Sequence, residues 1–555
     1  MDEFSTIIGG IAGDGINEAG ATIGRLFSRL GYRIFMCYDY PSLIRGGHNY
    51  AIVRASSRII GVHRDHVDLL VALNQDTLER HRWRLSEESL LIYDSDRVKP
   101  DGLGERSCGI HATAILKEEG APQIMRNTCI LGALCRATGI AWAVLEEVLK
   151  KHIPKHLEQN LEVARRGYDA AVEMLQVEAK DLPPLPTVTG NQAIGLGLIR
   201  AGLQAYIAYP MTPSSSLLDF LARQAPHTGL QVLHPENEIA VVLMAQGFAY
   251  SGVKAAVGTS GGGFCLMTEG VSLAGMAEMP LVIMMGQRTG PSTGLPTYTA
   301  QGDLHFVLNA GQGEFPRFVV SPGDGEEAYF WSGVALKIAW RYQVPAFILA
   351  DRSVCESQYS FDLGAAGDPG EAAPLLWDGA GEYRRYRYTE SGVSPLAFPP
   401  MRGQAIKVDG YVHDESGITT EEARITKEMG DKRLLKGRSI SRELEEYETV
   451  KVLGARRGRT ALLFSGSNKW VCVEAAEGLG CRAVQALVLS PFPVKRLRAA
   501  LEDVETVIAV ECNCTAQLAR LAGCHGIHVH EHILKYDGRP FSLDDLEAEL
   551  GRVLT

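Results

Sequence analysis

The chain of 555 residues contains no run of eighteen uninterrupted apolar residues, so no segment has the pattern of a membrane-spanning helix. A basic stretch ahead of an apolar core, the mark of a secretory leader, is also missing. The start, MDEFSTIIGG, carries acids there, and the chain is expected to be cytoplasmic with no membrane partner. Positive charge is not in excess: 55 Lys and Arg stand against 66 Asp and Glu, and the net charge of −11 repels a phosphate backbone, which excludes nucleic acid as the expected partner. The eleven cysteines are scattered and odd in number, with no CxxC and no CxxCxxCxxxC, so neither a disulfide framework nor an iron–sulfur cluster is expected on this chain. Even the nearest approach, Cys512-Asn513-Cys514, is read as part of a set of buried, reduced thiols. What remains is an ordinary globular composition, 46% hydrophobic and 22% charged. At roughly 150 residues per domain the length allows three or four structural units.

The fold class expected is α/β, in three α/β domains. Thr6-Ile7-Ile8 reads as a strand, Gly9 to Gly15 as a loop, and Ala21, Ile23, Leu26, Phe27 and Leu30 as a helix face. A second strand at 32–38 completes what looks like a βαβ unit, in a first domain over 1–180. Residues 181–187 hold three prolines, which lack amide donors, and form an extended linker. A second domain over 188–360 alternates helices with apolar strands at 205–208, 255–257, 281–285 and 346–349. Residues 361–450 read as a connector arm whose charged end, 441–451, is helical, and 451–555 as a third domain with strands at 461–464, 486–489 and 506–510.

Two glycine signals are incomplete. Gly13-Asp14-Gly15-Ile16-Asn17-Glu18 lacks the third glycine of the dinucleotide fingerprint, although Asp39 near the end of the second strand would suit a ribose. Gly-Asp-Gly at 13–15 and 323–325 opens the motif that holds the magnesium of thiamine diphosphate, but neither copy is followed by an asparagine at the required distance. Both are read as turns, and no residue of this chain is put forward as a metal ligand.

More specific is a set of polar loops, each after a strand of the second domain. Tyr209-Pro210-Met211-Thr212-Pro213-Ser214-Ser215 precedes a helix beginning near Ser216. His234-Pro235-Glu236-Asn237-Glu238 precedes an almost uncharged run, 239–249. Thr259-Ser260-Gly261-Gly262-Gly263 and the loop from Gln287 through Arg288 to Thr297 complete the set. The carboxyl edge of a parallel sheet is where ligands bind, so these loops are expected to converge on one crevice containing Arg288, Glu238 and Thr212.

At these residues the chain resembles the 2-oxoacid:ferredoxin oxidoreductases, specifically an alpha subunit of the 2-oxoglutarate-like branch with the gamma domain fused at its N-terminus. Tyr209–Ser215 resembles the family's YPITPSS with Met211 for Ile, 259–263 resembles TSGPG with Gly262 for Pro, and 287–297 resembles QRGGPSTGLPT with Thr289 for Gly. The fused-domain signature is matched by Tyr40-Pro41-Ser42-Leu43-Ile44-Arg45-Gly46-Gly47-His48-Asn49, and HDExG by His413-Asp414-Glu415-Ser416-Gly417. Pro491-Phe492-Pro493 and 510–518 resemble the PFP and ExNxxGQL segments of a transketolase C-terminal-like domain, with Ala516 for a glycine.

The resemblance implies a gamma-type domain, a thiamine-diphosphate pyrimidine-binding-type domain and a transketolase C-terminal-like domain. It also implies oxidative decarboxylation of a 2-oxoacid, 2-oxoglutarate favoured, with coenzyme A to acyl-CoA, CO2 and reduced ferredoxin. A beta subunit would supply the Mg2+–diphosphate site and a [4Fe–4S] cluster, in an (alpha-beta)2 assembly. By the same resemblance Glu238 hydrogen-bonds the aminopyrimidine, with Glu236 in reserve, and Tyr209, Pro210, Ser260 and Gly261 line the cofactor. Thr212, Arg288, Ser292, Thr293 and Arg45 are the candidates for the 2-oxoacid or coenzyme A. Three alternatives stay open: the same enzyme class acting on pyruvate or a branched-chain or aryl 2-oxoacid, a nicotinamide-dependent dehydrogenase using the N-terminal loop, and a non-catalytic regulatory subunit, suggested by the substitutions at Met211, Gly262, Thr289 and Ala516.

Overall fold

A computed structural model of the chain describes residues 2–43, 46–100, 106–153 and 155–554. They form three sheets and divide into two compact units. One holds the residues up to Val188 with Ser357–Asp362 and Phe541–Ala548, and the other Thr189–Glu356 with Leu363–Pro540 and the residues from Glu549 on.

In the first unit the opening strand is Glu3–Ile11 and the helix Ile16–Arg29, whose buried Ile16, Ala19, Ile23, Leu26 and Phe27 recur at helical spacing. Phe27 meets Phe4 edge to face with ring centroids 4.6 Å apart, fixing the helix on the strand. The next strand, Arg33–Asp39, is not the neighbour of the first. His48–Ser56 lies between the two and is antiparallel to both, so the sheet is mixed rather than a simple βαβ layer. Leu69–Ala72, Leu90–Asp94 and Ser107–Ile110 extend it in parallel on the other side. Gln358–Ser360 and Thr187–Thr189 close the far edge of this eight-stranded sheet. The proline segment is held by its carbonyls, Leu185 accepting from the Ser28 hydroxyl at 2.6 Å and Pro183 from Arg33 at 2.9 Å.

The second unit holds a seven-stranded sheet in the order Val488–Ser490, Phe318–Val320, Pro345–Asp351, Leu281–Gln287, Ala255–Ser260, Ala205–Ala208, Gln231–Leu233. All but the first run parallel, and apart from the edge strand Gln231–Leu233 their apolar runs are buried on both faces. A five-stranded sheet, Val450–Gly454, Arg482–Ala486, Thr460–Phe464, Thr506–Glu511 and Glu531–Leu534, completes it.

Two sequence expectations are corrected. The run at 486–489 is not one strand: Ala486 ends a strand of the five-stranded sheet, while Val488–Ser490 pairs antiparallel with Phe318–Val320 of the other. The stretch 441–451 is not a helix of its own. It carries the end of the helix Ala423–Glu443, a single tight turn at Leu444–Glu446 and the start of the strand Val450–Gly454. The buried stripe of that helix is Met429, Lys432, Lys436 and Ile440, so two charged residues conceal its periodicity. Both lysines reach the buried Glu278, Lys432 at 2.7 Å, and burial lowers the pKa of each. The thiol reading holds for seven of the eleven cysteines; Cys37 is half-buried, and Cys265, Cys514 and Cys524 are exposed.

Candidate active site

The loops at the carboxyl edge of the seven-stranded sheet meet through contacts that can be followed residue by residue. After Ala205–Ala208 the chain turns at Tyr209 to Pro213 into the helix Ser215–Thr228, with the Ser214 hydroxyl donating to the Met211 carbonyl at 2.8 Å. The fully buried Asn191 braces the turn by donating to the Pro213 carbonyl at 2.7 Å. Arg288, just past the strand Leu281–Gln287, donates from Nη1 to the Thr212 carbonyl at 3.0 Å. This bond joins the first loop to the last.

Glu238 is the first residue of the helix Glu238–Tyr250, whose N-terminus is capped by the Asn237 side chain accepting from Ala240 N at 3.0 Å. Its side chain is therefore free for another task. It turns inward, only 4% of the residue is exposed, and Oε1 is buried without a hydrogen-bond partner. The carboxyl lies against the first turn of the helix Gly261–Met276: a Cβ on Gly263 would collide with Glu238 Oε1 and with Thr259 Oγ1. Ser260, at the N-cap of that helix, is fully buried and its hydroxyl also has no partner. A buried polar group without a partner keeps its hydrogen-bonding capacity for a ligand.

A further carboxyl enters the site from a residue that the sequence reading did not select. Asp303 stands at the N-cap of the short helix Leu304–Asn309, yet its side chain makes no cap bond. Its carboxyl lies against Gly261, where a Cβ would sit 3.2 Å from Oδ1, and its backbone amide donates to Gln287 Oε1 at 3.1 Å. Burial raises the Asp303 pKa to about 6 against the opposing pull of Arg288. Burial likewise lowers that of Arg288, with Asp303 working the other way. Thr297 was also missed, and its buried hydroxyl has no partner. A sequence shows neither, because Asp303 looks like a helix cap and Thr297 like the end of a polar loop.

Thr212, Arg288, Glu238, Ser260 and Gly261 thus fall together. Tyr209 and Pro210 lie at the open side of the first loop, with Tyr209 38% exposed and set edge-on to His234. Ser292 and Thr293 occupy the exposed tip of the loop that Thr289 and Leu295 close by a β-bridge. Glu236 is exposed, in contrast to Glu238. Arg45 lies outside the described residues. Both Gly-Asp-Gly segments have structural employment. Asp14 pairs with Arg126 at 2.5 Å and accepts from Ile11 N at 3.1 Å, so its own acid fills the N-terminal loop. Asp324 caps the helix Gly325–Tyr342 and pairs with Lys469.

The chain is similar to known proteins along its whole length. A family model described as pyruvate ferredoxin/flavodoxin oxidoreductase matches residues 5–170, and one described as the thiamine-diphosphate-binding part of pyruvate flavodoxin/ferredoxin oxidoreductase matches 196–431. The alpha subunit of the 2-oxoacid:ferredoxin oxidoreductase of Saccharolobus solfataricus is 30% identical, over 99% of this chain and 98% of its own. This chain belongs to the 2-oxoacid:ferredoxin oxidoreductases, as an alpha subunit. Subunit KorA of the Archaeoglobus fulgidus 2-oxoglutarate synthase is 29% identical over 59% of this chain and 87% of its own. The 2-oxoglutarate:ferredoxin oxidoreductase of Magnetococcus marinus, solved with 2-oxoglutarate, coenzyme A and succinyl-CoA bound, superposes with a TM-score of 0.91 over 100% of both chains at 29% identity.

As an oxidoreductase subunit of this family the chain carries a thiamine-diphosphate-binding domain, and these loops lie within it. The residues present fit such a group: a buried carboxyl oxygen without a partner, Glu238 Oε1, suits a ring nitrogen, and the unpartnered Ser260 hydroxyl lies on the same helix start. Among the described residues no helix is long and apolar enough to cross a membrane.

Proposed function

We propose that this alpha subunit orients thiamine diphosphate and a 2-oxoacid, 2-oxoglutarate in the first place, for oxidative decarboxylation with coenzyme A to an acyl-CoA, CO2 and reduced ferredoxin. The observation that carries the reading is the buried, unpartnered Oε1 of Glu238 beside the first turn of the helix Gly261–Met276. The choice of 2-oxoglutarate and coenzyme A is supported by likeness, over the whole length, to the Magnetococcus enzyme in which both were found.

Bound thiamine diphosphate supplies the nucleophilic thiazolium carbon and the electron sink that decarboxylation of a 2-oxoacid needs. Glu238 holds the aminopyrimidine through Oε1, and the packing of its carboxyl on Gly263 and Thr259 fixes where that bond is made. Arg288 uses one N–H on the Thr212 carbonyl and keeps its remaining donors for the substrate carboxylate. The Thr212 hydroxyl serves the keto oxygen, while Tyr209, Pro210, Ser260 and Gly261 shape the wall on which the cofactor rests. Ser292 and Thr293, on the exposed loop tip, and Arg45 of the N-terminal domain serve the outer part of the substrate or coenzyme A.

This chain is half of the working site. A beta subunit supplies the magnesium–diphosphate site and a [4Fe–4S] cluster, ferredoxin takes the electrons, and the cytoplasmic assembly is (alpha-beta)2. The domain reading proposed is a gamma-type domain over 1–180, a linker at 181–187, a pyrimidine-binding-type domain over 188–360, a connector over 361–450 and a C-terminal domain over 451–555. Anaerobic purification with the co-purifying chains, followed by dye reduction with coenzyme A and a panel of 2-oxoacids, tests the reading. A smaller thiamine- and iron-containing chain and preference for 2-oxoglutarate support it. Purification without such a chain, or NAD(P) reduction by this chain alone, overturns it.

A further inference from the structure

Asp303 is a carboxyl without an evident structural duty. It occupies an N-cap position without capping, and so forgoes the hydrogen bond for which aspartate is favoured there. Instead it lies on Gly261, where a Cβ would meet both oxygens at 3.2 and 3.3 Å. The charge that acts on it is Arg288, from the loop after the strand Leu281–Gln287. The other groups placed against it are the backbone of Gly261 and the side-chain amide of Gln287, which holds its N–H. Arg288 is itself anchored to the Thr212 carbonyl, so Asp303 lies within the electrostatic reach of a fixed guanidinium without forming an ion pair with it.

We propose that Asp303 is a positioning residue for the 2-oxoacid: it balances Arg288 while the site is empty and takes up one proton from solvent when the substrate carboxylate arrives. The inference rests on the proposed 2-oxoacid site. An incoming carboxylate needs the guanidinium, and a second anion beside it works against binding. Protonating Asp303 removes that opposition without breaking any hydrogen bond of its side chain. The group is suited to the task, because burial already brings its pKa to about 6 and a neighbouring anion raises it further. Gly261 is explained by the same geometry, since any side chain there would press on the carboxyl.

Linkage sets the sign. The complex binds one more proton than the free enzyme above about pH 6, so the affinity for substrate is level below that value and falls, up to about tenfold per pH unit, above it. At pH 7 the KM is expected to be roughly tenfold above its low-pH limit. The test is KM for the 2-oxoacid between pH 5.5 and about pH 8 in the assembled enzyme, for the parent, Asp303→Asn and Asp303→Glu, together with the Ki of glutarate, an unreactive carboxylate analogue. The parent and Asp303→Glu should show the rise, and Asp303→Asn a level profile. Equal slopes in the parent and Asp303→Asn overturn the proposal, whatever their kcat. Should Asp303→Asn fail to assemble, the glutarate Ki of the parent decides alone: a level Ki from pH 6 to pH 8 overturns it, and a rise of at least tenfold supports it. Failure of the parent to turn over any 2-oxoacid would instead strike the 2-oxoacid reading itself, so the two failures are distinguishable.

Discussion

Replacing Gly263 by alanine puts the smallest side chain at the tightest point of the site. The added Cβ would collide with Glu238 Oε1 and Thr259 Oγ1, whereas one on the adjacent Gly262 would have nothing within 4 Å. Thr259 belongs to a fully buried strand and has little room to retreat, so Glu238 is the group that moves, by about 1 Å if ordinary van der Waals contact is to be restored. Overpacking of this size costs about 1–3 kcal/mol, which a protein of ordinary stability survives. A misplacement of about 1 Å at a reacting centre costs on the order of 100-fold in rate. The variant is therefore expected to fold, to assemble with its partner chain and to lose about two orders of magnitude in kcat for dye reduction. Gly262→Ala, one residue away on the same helix, should stay within about twofold of the parent. The reasoning is refuted if Gly263→Ala keeps the parent kcat, or if Gly262→Ala falls as far.

Three further outcomes are expected. His63 is buried and its pKa lowered from 6.5 to about 4 by burial, so the unfolded chain binds the extra proton between those values. Its contribution to stability is complete above pH 6.5 and is lost as pH falls toward 4; urea unfolding of the first unit should lose roughly 3 kcal/mol from this group over that window, and His63→Gln should take away that share, while the buried His81 of the same unit acts in the same direction. Lys469 is buried against Asp324 and Glu327, so Lys469→Met leaves Asp324 without its cation and Glu327 with Lys451 alone, and should cost about 3–5 kcal/mol, read as a lower Tm. Glu511 accepts from Leu518 N at 2.8 Å and Ala519 N at 3.0 Å, capping the helix Gln517–Cys524; Glu511→Ala should destabilise by about 1–3 kcal/mol with the same readout.

Much of the parallel sheet was legible because strands covered on both faces are written in apolar letters: the expected run at 205–208 is the strand Ala205–Ala208, and 281–285 lies within Leu281–Gln287. The polar loops after them were legible for the complementary reason, since Gly, Pro, Ser and Thr interrupt those runs at one edge. The helix Ala423–Glu443 was hidden because two of its core positions are lysines whose partner, Glu278, lies far away in sequence. The strand Gln358–Ser360 was hidden because its partner is Arg33–Asp39, more than three hundred residues earlier, and three residues carry no period of their own. Within the candidate site, Thr212, Glu238 and Arg288 were read from the polar loops that follow the strands, and the motif resemblance supplied the roles expected of them. Asp303 escaped because what distinguishes it, contact with Gly261 and a half-buried setting, is set by the tertiary fold.

Glu238→Gln tests the central claim most directly, because it keeps the size of the side chain and changes only what it can exchange with a ring nitrogen. The variant is to be purified anaerobically with its partner chains and assayed with coenzyme A and 2-oxoglutarate by dye reduction, with the thiamine content measured alongside. The account predicts an assembled enzyme that retains cofactor and loses at least about 100-fold in kcat. Turnover at the parent rate by that assembled variant would contradict it.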